Sequence, residues 1–299
     1  MKTYSDYLNS IFPGIKVQKI SLNAGFSCPN RDGTIGRGGC LYCRNDSFSP
    51  AYCMEMEPVA VQIEKGKQFF ARKYPDMKFL AYFQSYTNTY ARRPDQLRKL
   101  YEEALGCDGV VGLVVGTRPD TLPDDVIEIL GELNKSHPVF LEIGAETSSD
   151  STLRIINRHH TWSDVCDAVS RASQRGLRCG LHLIAGLPGE DREQVLRNVD
   201  LACGLPIDTL KIHQLQVLSG TPLHQMWREG KIEVNPYTLD DYLSLCSEIA
   251  KRVPDTIVIE RFLAQAPPDM VVAPKWGLKN YQFMNLLNGI ISRRNTLSK

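Results

Sequence analysis

Short runs of Val, Ile, Leu and Phe alternate along this chain with longer segments of helical period, and that alternation restricts the fold more than any other feature. The runs read as strands at 17–23 (VQKISLN), 78–83 (KFLAYF), 109–115 (GVVGLVV), 138–144 (PVFLEIG), 178–186 (RCGLHLIAG) and 209–218 (TLKIHQLQVL). Helices fall between them at 58–74, 93–105 and 122–136, opening on Pro or acidic residues and closing on basic ones, as the helix dipole favours. From the second strand onward the units recur roughly every 30 to 40 residues, the length of a strand with its crossover helix. Six such units predict an α/β chain folded as a partial (β/α)6 TIM-like barrel.

The first unit breaks the rhythm. Its strand and its helix are separated by a long segment, and residues 24–53 read as a loop at the C-terminal end of a barrel strand, where loops are usually functional. The rhythm changes again after residue 220, with TPLHQMWREG, a helix near 238–252, a short strand at 256–260 (TIVIE) and a last helix from 278. No stretch rich in Pro, Gly or Ser marks an independent second domain. The expected division is therefore 1–220 as barrel and 221–299 as a C-terminal α/β extension packed on it.

Charge and cysteine usage narrow the function classes. Thirty-five basic residues against 34 acidic ones leave a net charge of +1, so a nucleic-acid contact would have to use a local patch. The longest uncharged apolar run, GVVGLVVG at 109–116, falls far short of the ~20 residues that span a bilayer. The first residues lack a basic start, an apolar segment and a small-residue cleavage site, so the expectation is a cytoplasmic protein with no membrane partner. Six of the nine cysteines (Cys53, Cys107, Cys166, Cys179, Cys203, Cys246) are scattered and read as reduced small hydrophobes.

The other three, Cys28, Cys40 and Cys43, lie together in FSCPNRDGTIGRGGCLYCRND at 26–46. CLYC by itself is half of a zinc site, with Cys53 available as a further thiol, although a zinc ribbon would carry a second close pair. A [4Fe-4S] cluster on three cysteines instead explains the missing fourth, because its open iron then binds substrate or cofactor. The Gly-rich loop has the freedom to wrap such a cluster.

The loop, its position after the first strand and its aromatic-containing CLYC resemble the cluster loop of radical S-adenosylmethionine (SAM) enzymes. The spacing here is C-x11-C-x2-C rather than the superfamily's common C-x3-C-x2-C. It is similar to the long-loop variants found in the elongator catalytic subunit and in a bacterial radical SAM family. KISLNAGFSCPNRDGTIGRGGCLYC, YFQSYTNTYARR, GTRPDTL and KIHQLQVLSGTPL resemble the bacterial family closely, over residues 4 to 276.

The resemblance implies that Cys28, Cys40 and Cys43 hold the cluster and carry the catalysis. It also implies that SAM chelates the fourth iron and is reductively cleaved to a 5′-deoxyadenosyl radical. Tyr42 then faces the cofactors, and Gln84 and Ser85 stand where the superfamily carries a Gly-Gly-Glu type motif. The fourth strand with Glu142, and Arg158 beyond it, meet the ribose and carboxylate of SAM, and the turn from Ile184 through Leu187 lies along its adenine. An electron donor such as flavodoxin or ferredoxin is implied as partner.

Read as residues, Tyr86, Asn88 and Tyr90 line the barrel mouth, Arg118 suits a carboxylate or phosphate, and Lys211, His213 and Gln214 alternate with apolar neighbours toward the interior. The elongator likeness suggests a tRNA base, the wobble uridine among them, with the basic tail from Lys275 as the RNA contact. The alternatives are a radical SAM enzyme acting on a small molecule or peptide, and a non-enzymatic zinc-stabilised binding module.

Overall fold

Six apolar runs become six strands: β1 (Val17–Leu22), β2 (Lys78–Phe83), β3 (Val110–Thr117), β4 (Val139–Glu146), β5 (Arg178–Ala185) and β6 (Thr209–Gln214). They pair in chain order and all in parallel. The structure is a computed structural model and describes residues 2–53, 57–71, 76–90 and 92–297.

The expected partial barrel with a C-terminal extension is present, with two differences of detail. Beyond β6 the last run does not continue to Leu218, because Gln214 turns its side chain to the backbone of Ala264, accepting from that N–H at 2.9 Å. Val217–Leu218 form a separate short strand, β7, antiparallel to β9 (Val271–Ala273). The edge of β6 is taken by β8 (Val258–Arg261), so TIVIE, assigned above to the extension, supplies a seventh parallel strand to the same sheet. The result is a curled half-barrel of seven strands.

Helices wrap its outside. They are α2 (Val59–Ala71), α3 (Pro94–Leu105), α4 (Asp124–Leu133), α5 (Asp150–Ile155), α6 (Trp162–Gln174), α7 (Arg192–Cys203), α8 (Pro222–Arg228), α9 (Leu239–Arg252) and α10 (Asn280–Leu297). Residues 72–74 of the helix expected over 58–74 lie outside the described residues. Caps set the starts: Thr161 and Asp164 form a reciprocal capping box on α6, and Asp191 and Thr238 accept first-turn N–H groups on α7 and α9. Leu97, Leu130, Val165 and Val199 bury against the outer strand face of Phe83, Leu113, Leu141, Leu181 and Ile212. Both faces of the sheet are covered, which is why its strands read as continuous apolar runs.

The inner face is closed at its base by a helix that the strand rhythm does not announce, α1 (Tyr4–Ile11). Its Tyr7 and Leu8, with Phe12 just beyond, pack on Leu80, Tyr82, Val114, Phe140 and Val258, inward residues of four different strands. Thr3 and Asp6 cap it reciprocally. Truncating Phe12 to Ala is expected to cost about 3 kcal/mol, in the range for a buried Phe, as a lowered denaturant midpoint with unchanged m-value.

Candidate active site

Above α1 the half-barrel encloses a cavity of about 1270 Å³, open at the C-terminal strand ends. Its walls are the inward residues of the strands, and Cys28, Cys40 and Cys43 line it along with Tyr42. The loop that carries them is held at several points. Buried Gln62 of α2 clamps its start, accepting from Asn23 N–H at 2.9 Å and donating to Asn23 C=O at 2.8 Å. Two backbone N–H groups, of Arg31 and Asp32, turn back on Cys28 C=O, and Cys43 N–H bonds Cys40 C=O at 3.0 Å. Asn157 donates to Gly39 C=O at 2.8 Å, while Leu41 N–H bonds Ile156 C=O and Arg44 donates to Ser219 C=O at 2.6 Å. Leu41 and Tyr42 pack against Ile184, Leu187, Leu215 and Leu223, which seats CLYC on the barrel.

Arg158 joins this loop to the strands. Its guanidinium lies 3.6 Å from Cys40 Sγ, donates to Gly144 C=O at 2.7 Å and pairs with Glu146 at 3.2 Å. Its Nε donates to His160 Nε2 at 3.0 Å, an acceptor because burial, Arg158 and Arg118 hold that imidazole down at about 4. A Cβ at 144 would stand 2.6 Å from the guanidinium and 2.7 Å from the Glu146 carboxylate, so a side chain there would have to displace one of these groups. Glu146 adopts a left-handed φ of 66°, a strained setting for a side chain of its kind that places its carboxylate between Arg158 and His182. Burial works against that charge, yet His182 and Arg158 bring the carboxyl down to about 2.

Toward the base, four charges interlock. Glu142 takes Lys19 and Lys211, each at 2.5 Å, and the Tyr82 hydroxyl at 2.5 Å, while Glu260 takes Lys19 at 2.9 Å and Lys211 at 3.4 Å. Despite burial, the two ammonium groups hold the Glu142 carboxyl well below the usual range, and Glu142 and Glu260 hold Lys19 well above its own. Burial lowers Lys211 without removing its charge, because two carboxylates sit against it.

The cavity thus gathers Cys28, Cys40, Cys43, Tyr42, Gln84, Glu142, Arg158 and Ile184. Ser85 and Leu187 lie behind the wall: Ser85, 2% exposed, faces Ser49, and Leu187, also 2% exposed, packs in the cluster under CLYC. Gln84 accepts from Ser21 at 2.8 Å. Glu142 sits deep, bound to the lysines. Cys53 stands apart from the three-cysteine site, its thiol 2.7 Å from Ser21 C=O. Tyr86, Arg118, Lys211, His213 and Gln214 line the same space; buried Asn88 instead donates to Gly116 C=O and Tyr90 bonds Thr34.

A family model described as the radical SAM superfamily matches residues 30–202, and one described as the radical SAM C-terminal domain matches 207–293. The chain belongs to the radical SAM superfamily. It is 34% identical to the uncharacterized protein YtqA of Bacillus subtilis, over 94% of this chain and 86% of that protein. A tRNA uridine(34) acetyltransferase of Dehalococcoides mccartyi is 30% identical over 57% of this chain and only 36% of its own length. The solved structure of Methanocaldococcus infernus Elp3 with an N-terminal deletion superimposes with a TM-score of 0.68 at 18% identity. That likeness covers 94% of this chain and 64% of the Elp3 chain, and it is one of fold.

As a radical SAM enzyme the chain has a donor set suited to an iron–sulfur cluster. Three soft thiols face one buried space, and burial, followed by the neighbouring Cys40, pushes the Cys43 thiol up to about 12. A thiol that resists ionising needs a strongly positive centre to become a ligand. Among the described residues no three His, Cys, Asp or Glu converge on one point as a single ion requires. No described helix is long and apolar enough to cross a membrane. Sequence reasoning passed over Lys19, Tyr82, His182, Glu260 and Arg261, all on the cavity wall. The signal for Lys19 and His182 was the period of two: each is a charged or polar residue at an inward position of an apolar strand.

Proposed function

We propose that Cys28, Cys40 and Cys43 hold a [4Fe-4S] cluster, that SAM binds beside it across the ends of β1, β2, β4 and β5, and that the substrate is a tRNA base, the wobble uridine. Bound there, the two cofactors supply a one-electron cleavage of SAM to a 5′-deoxyadenosyl radical that abstracts hydrogen. Arg158 carries this reading, since one guanidinium reaches Cys40, the β4 carbonyl of Gly144 and Glu146 together, the place for the carboxylate of SAM. Gln84 and Gly116 present polar edge and backbone to the same ligand, and Ile184 offers an apolar wall for its adenine. Buried Leu215, packed with Ile184, lines that wall and excludes water from it.

The tRNA assignment is supported by the match to tRNA uridine(34) acetyltransferases over 57% and 54% of this chain. We place the enzyme in the cytoplasm with a flavodoxin or ferredoxin as electron donor, and read residues 1–220 as catalytic barrel and 221–299 as the extension that completes it.

Replacing Arg158 by Ala is expected to weaken SAM binding about tenfold to a hundredfold, the weight of a lost hydrogen bond to a charged group, with iron content unchanged. Equilibrium dialysis with labelled SAM reads it, and wild-type affinity in the variant would remove Arg158 from the site. For the substrate, nucleosides from the tRNA of cells with and without the gene are compared by mass spectrometry. A wobble-uridine derivative that changes between the strains is the expected result. Identical tRNA, with SAM cleavage intact, would turn the assignment to a small molecule or peptide.

A further inference from the structure

One wall of the cavity holds a chain of three groups, a carboxylate and two histidines, and the reading above leaves the histidines without a task. Glu146, His182 and His213 stand on adjacent strands β4, β5 and β6. Glu146 Oε2 and His182 Nδ1 are 2.7 Å apart, His182 Nε2 and His213 Nδ1 are 3.0 Å apart, and the two rings meet edge to face at 4.6 Å. Both histidines line the cavity. At the end of the chain, His213 Nε2 is buried with no hydrogen-bond partner.

The donors follow from the first link. A carboxylate only accepts, so His182 Nδ1 carries hydrogen, and the Nε2 of neutral His182 is a lone pair. His213 must then donate from Nδ1, which leaves its Nε2 as a bare lone pair.

We propose that His213 is a general base, whose Nε2 takes an N–H or O–H proton from the substrate bound in the cavity while His182 and Glu146 receive the charge. This rests on the reading of the cavity as the chamber of a radical SAM enzyme. The substrate's X–H bond breaks with its electron pair left on X, and an N–H bond forms at Nε2. The Nδ1 hydrogen of His213 crosses to His182 Nε2. His213 ends neutral in its other tautomer, and His182 becomes an imidazolium against the Glu146 carboxylate. No oxidant or reductant is needed.

The surrounding charges explain why the proton moves on. Burial, Arg261 of β8, His182 and Lys211 all oppose a charge on His213 and hold it well below the ordinary histidine range. Lys211 is itself neutralised by Glu142 and Glu260, and Arg158 and His160 stand on the far side of Glu146. Among the described residues the Arg261 side chain has no hydrogen-bond or ion-pair partner, and its Nε is buried. It is the cation available to the anion that proton removal creates, so Glu146 and His182 are positioning residues and His213 the group that touches substrate.

Nitrogen-15 histidine spectra of the protein across pH 5 to 9 test the relay without a substrate. The expected spectra show His213 with hydrogen on Nδ1 and a bare Nε2. The first proton taken up should yield a His182 imidazolium and switch His213 to Nε2–H. Glu146→Gln should move that uptake at least one pH unit lower, a tenfold weaker affinity for the proton. Should that variant fold poorly, His182→Gln replaces it, and His213 must then titrate alone at lower pH. Hydrogen on Nε2 throughout, or two independent titrations, would overturn the proposal.

With the reconstituted holoenzyme and tRNA from the deletion strain, turnover should fall on the acid side of the pair's uptake. It should drop on the order of 10²- to 10⁴-fold in His213→Gln, the usual weight of a general base. His137→Gln, at a half-buried position between α4 and β4 and absent from the cavity lining, is the control. Wild-type turnover in His213→Gln would overturn the base. If the wild type makes no tRNA product, the substrate assignment falls, and the histidine spectra still decide the relay.

Discussion

Alanine in place of any one of Cys28, Cys40 or Cys43 is expected to bring iron, sulfide and visible absorption to background after anaerobic reconstitution, whereas Cys53→Ala retains all three. The asymmetry is geometric. The three thiols line the cavity with Arg158 against Cys40, while the Cys53 thiol is bonded to Ser21 C=O. A cluster on three thiolates cannot spare one, because its fourth iron is already given to an external ligand. A wild type holding one zinc and no sulfide, with Cys53→Ala losing it, would replace the cluster by a closed zinc site.

The second large effect concerns folding. Glu142→Gln leaves Lys19 and Lys211 buried with Glu260 as their one remaining carboxylate. Breaking a buried ion network from one side costs about 3–5 kcal/mol, so the urea midpoint should fall sharply at neutral pH. Lys211→Met is also destabilising, and the double variant should lose less than the sum of the two, because removing both leaves fewer orphaned charges. Additivity would mean that Glu142 and Lys211 do not interact. The pH dependence has a definite sign. The folded carboxyl is depressed, so its contribution is complete above the unfolded value of about 4.3 and is lost as pH falls through the folded one.

The sequence made the barrel strands and the cluster loop readable because both rest on short-range patterns, apolar runs at even spacing and three thiols in one Gly-rich segment. What it hid depends on long-range placement. α1 is an ordinary amphipathic turn of chain until it meets inward residues of β2, β3, β4 and β8. TIVIE looked like part of an appendage because nothing local tells an edge strand of one sheet from a strand of another. Lys19 read as one charge in a strand, and only the curvature of the sheet brings it to Glu142, more than a hundred residues away. Ser85 and Leu187 were placed by motif position. The direction of a side chain at a strand end depends on the turn that follows, and here Ser85 turns to Ser49 and Leu187 to the packing beneath CLYC.

The junction of α1 with β8 also sets a timetable. Tyr7, Leu8 and Phe12 leave the ribosome early, and their partner Val258 leaves it late, as does Glu260, which Lys19 grips. Until that strand emerges, β6 is an open sheet edge and the apolar face of α1 lacks part of its seat. The nascent chain must therefore hold a nearly complete half-barrel ajar through most of its synthesis, a state of unpaired edge and long-range closure that favours slow folding and chaperone capture.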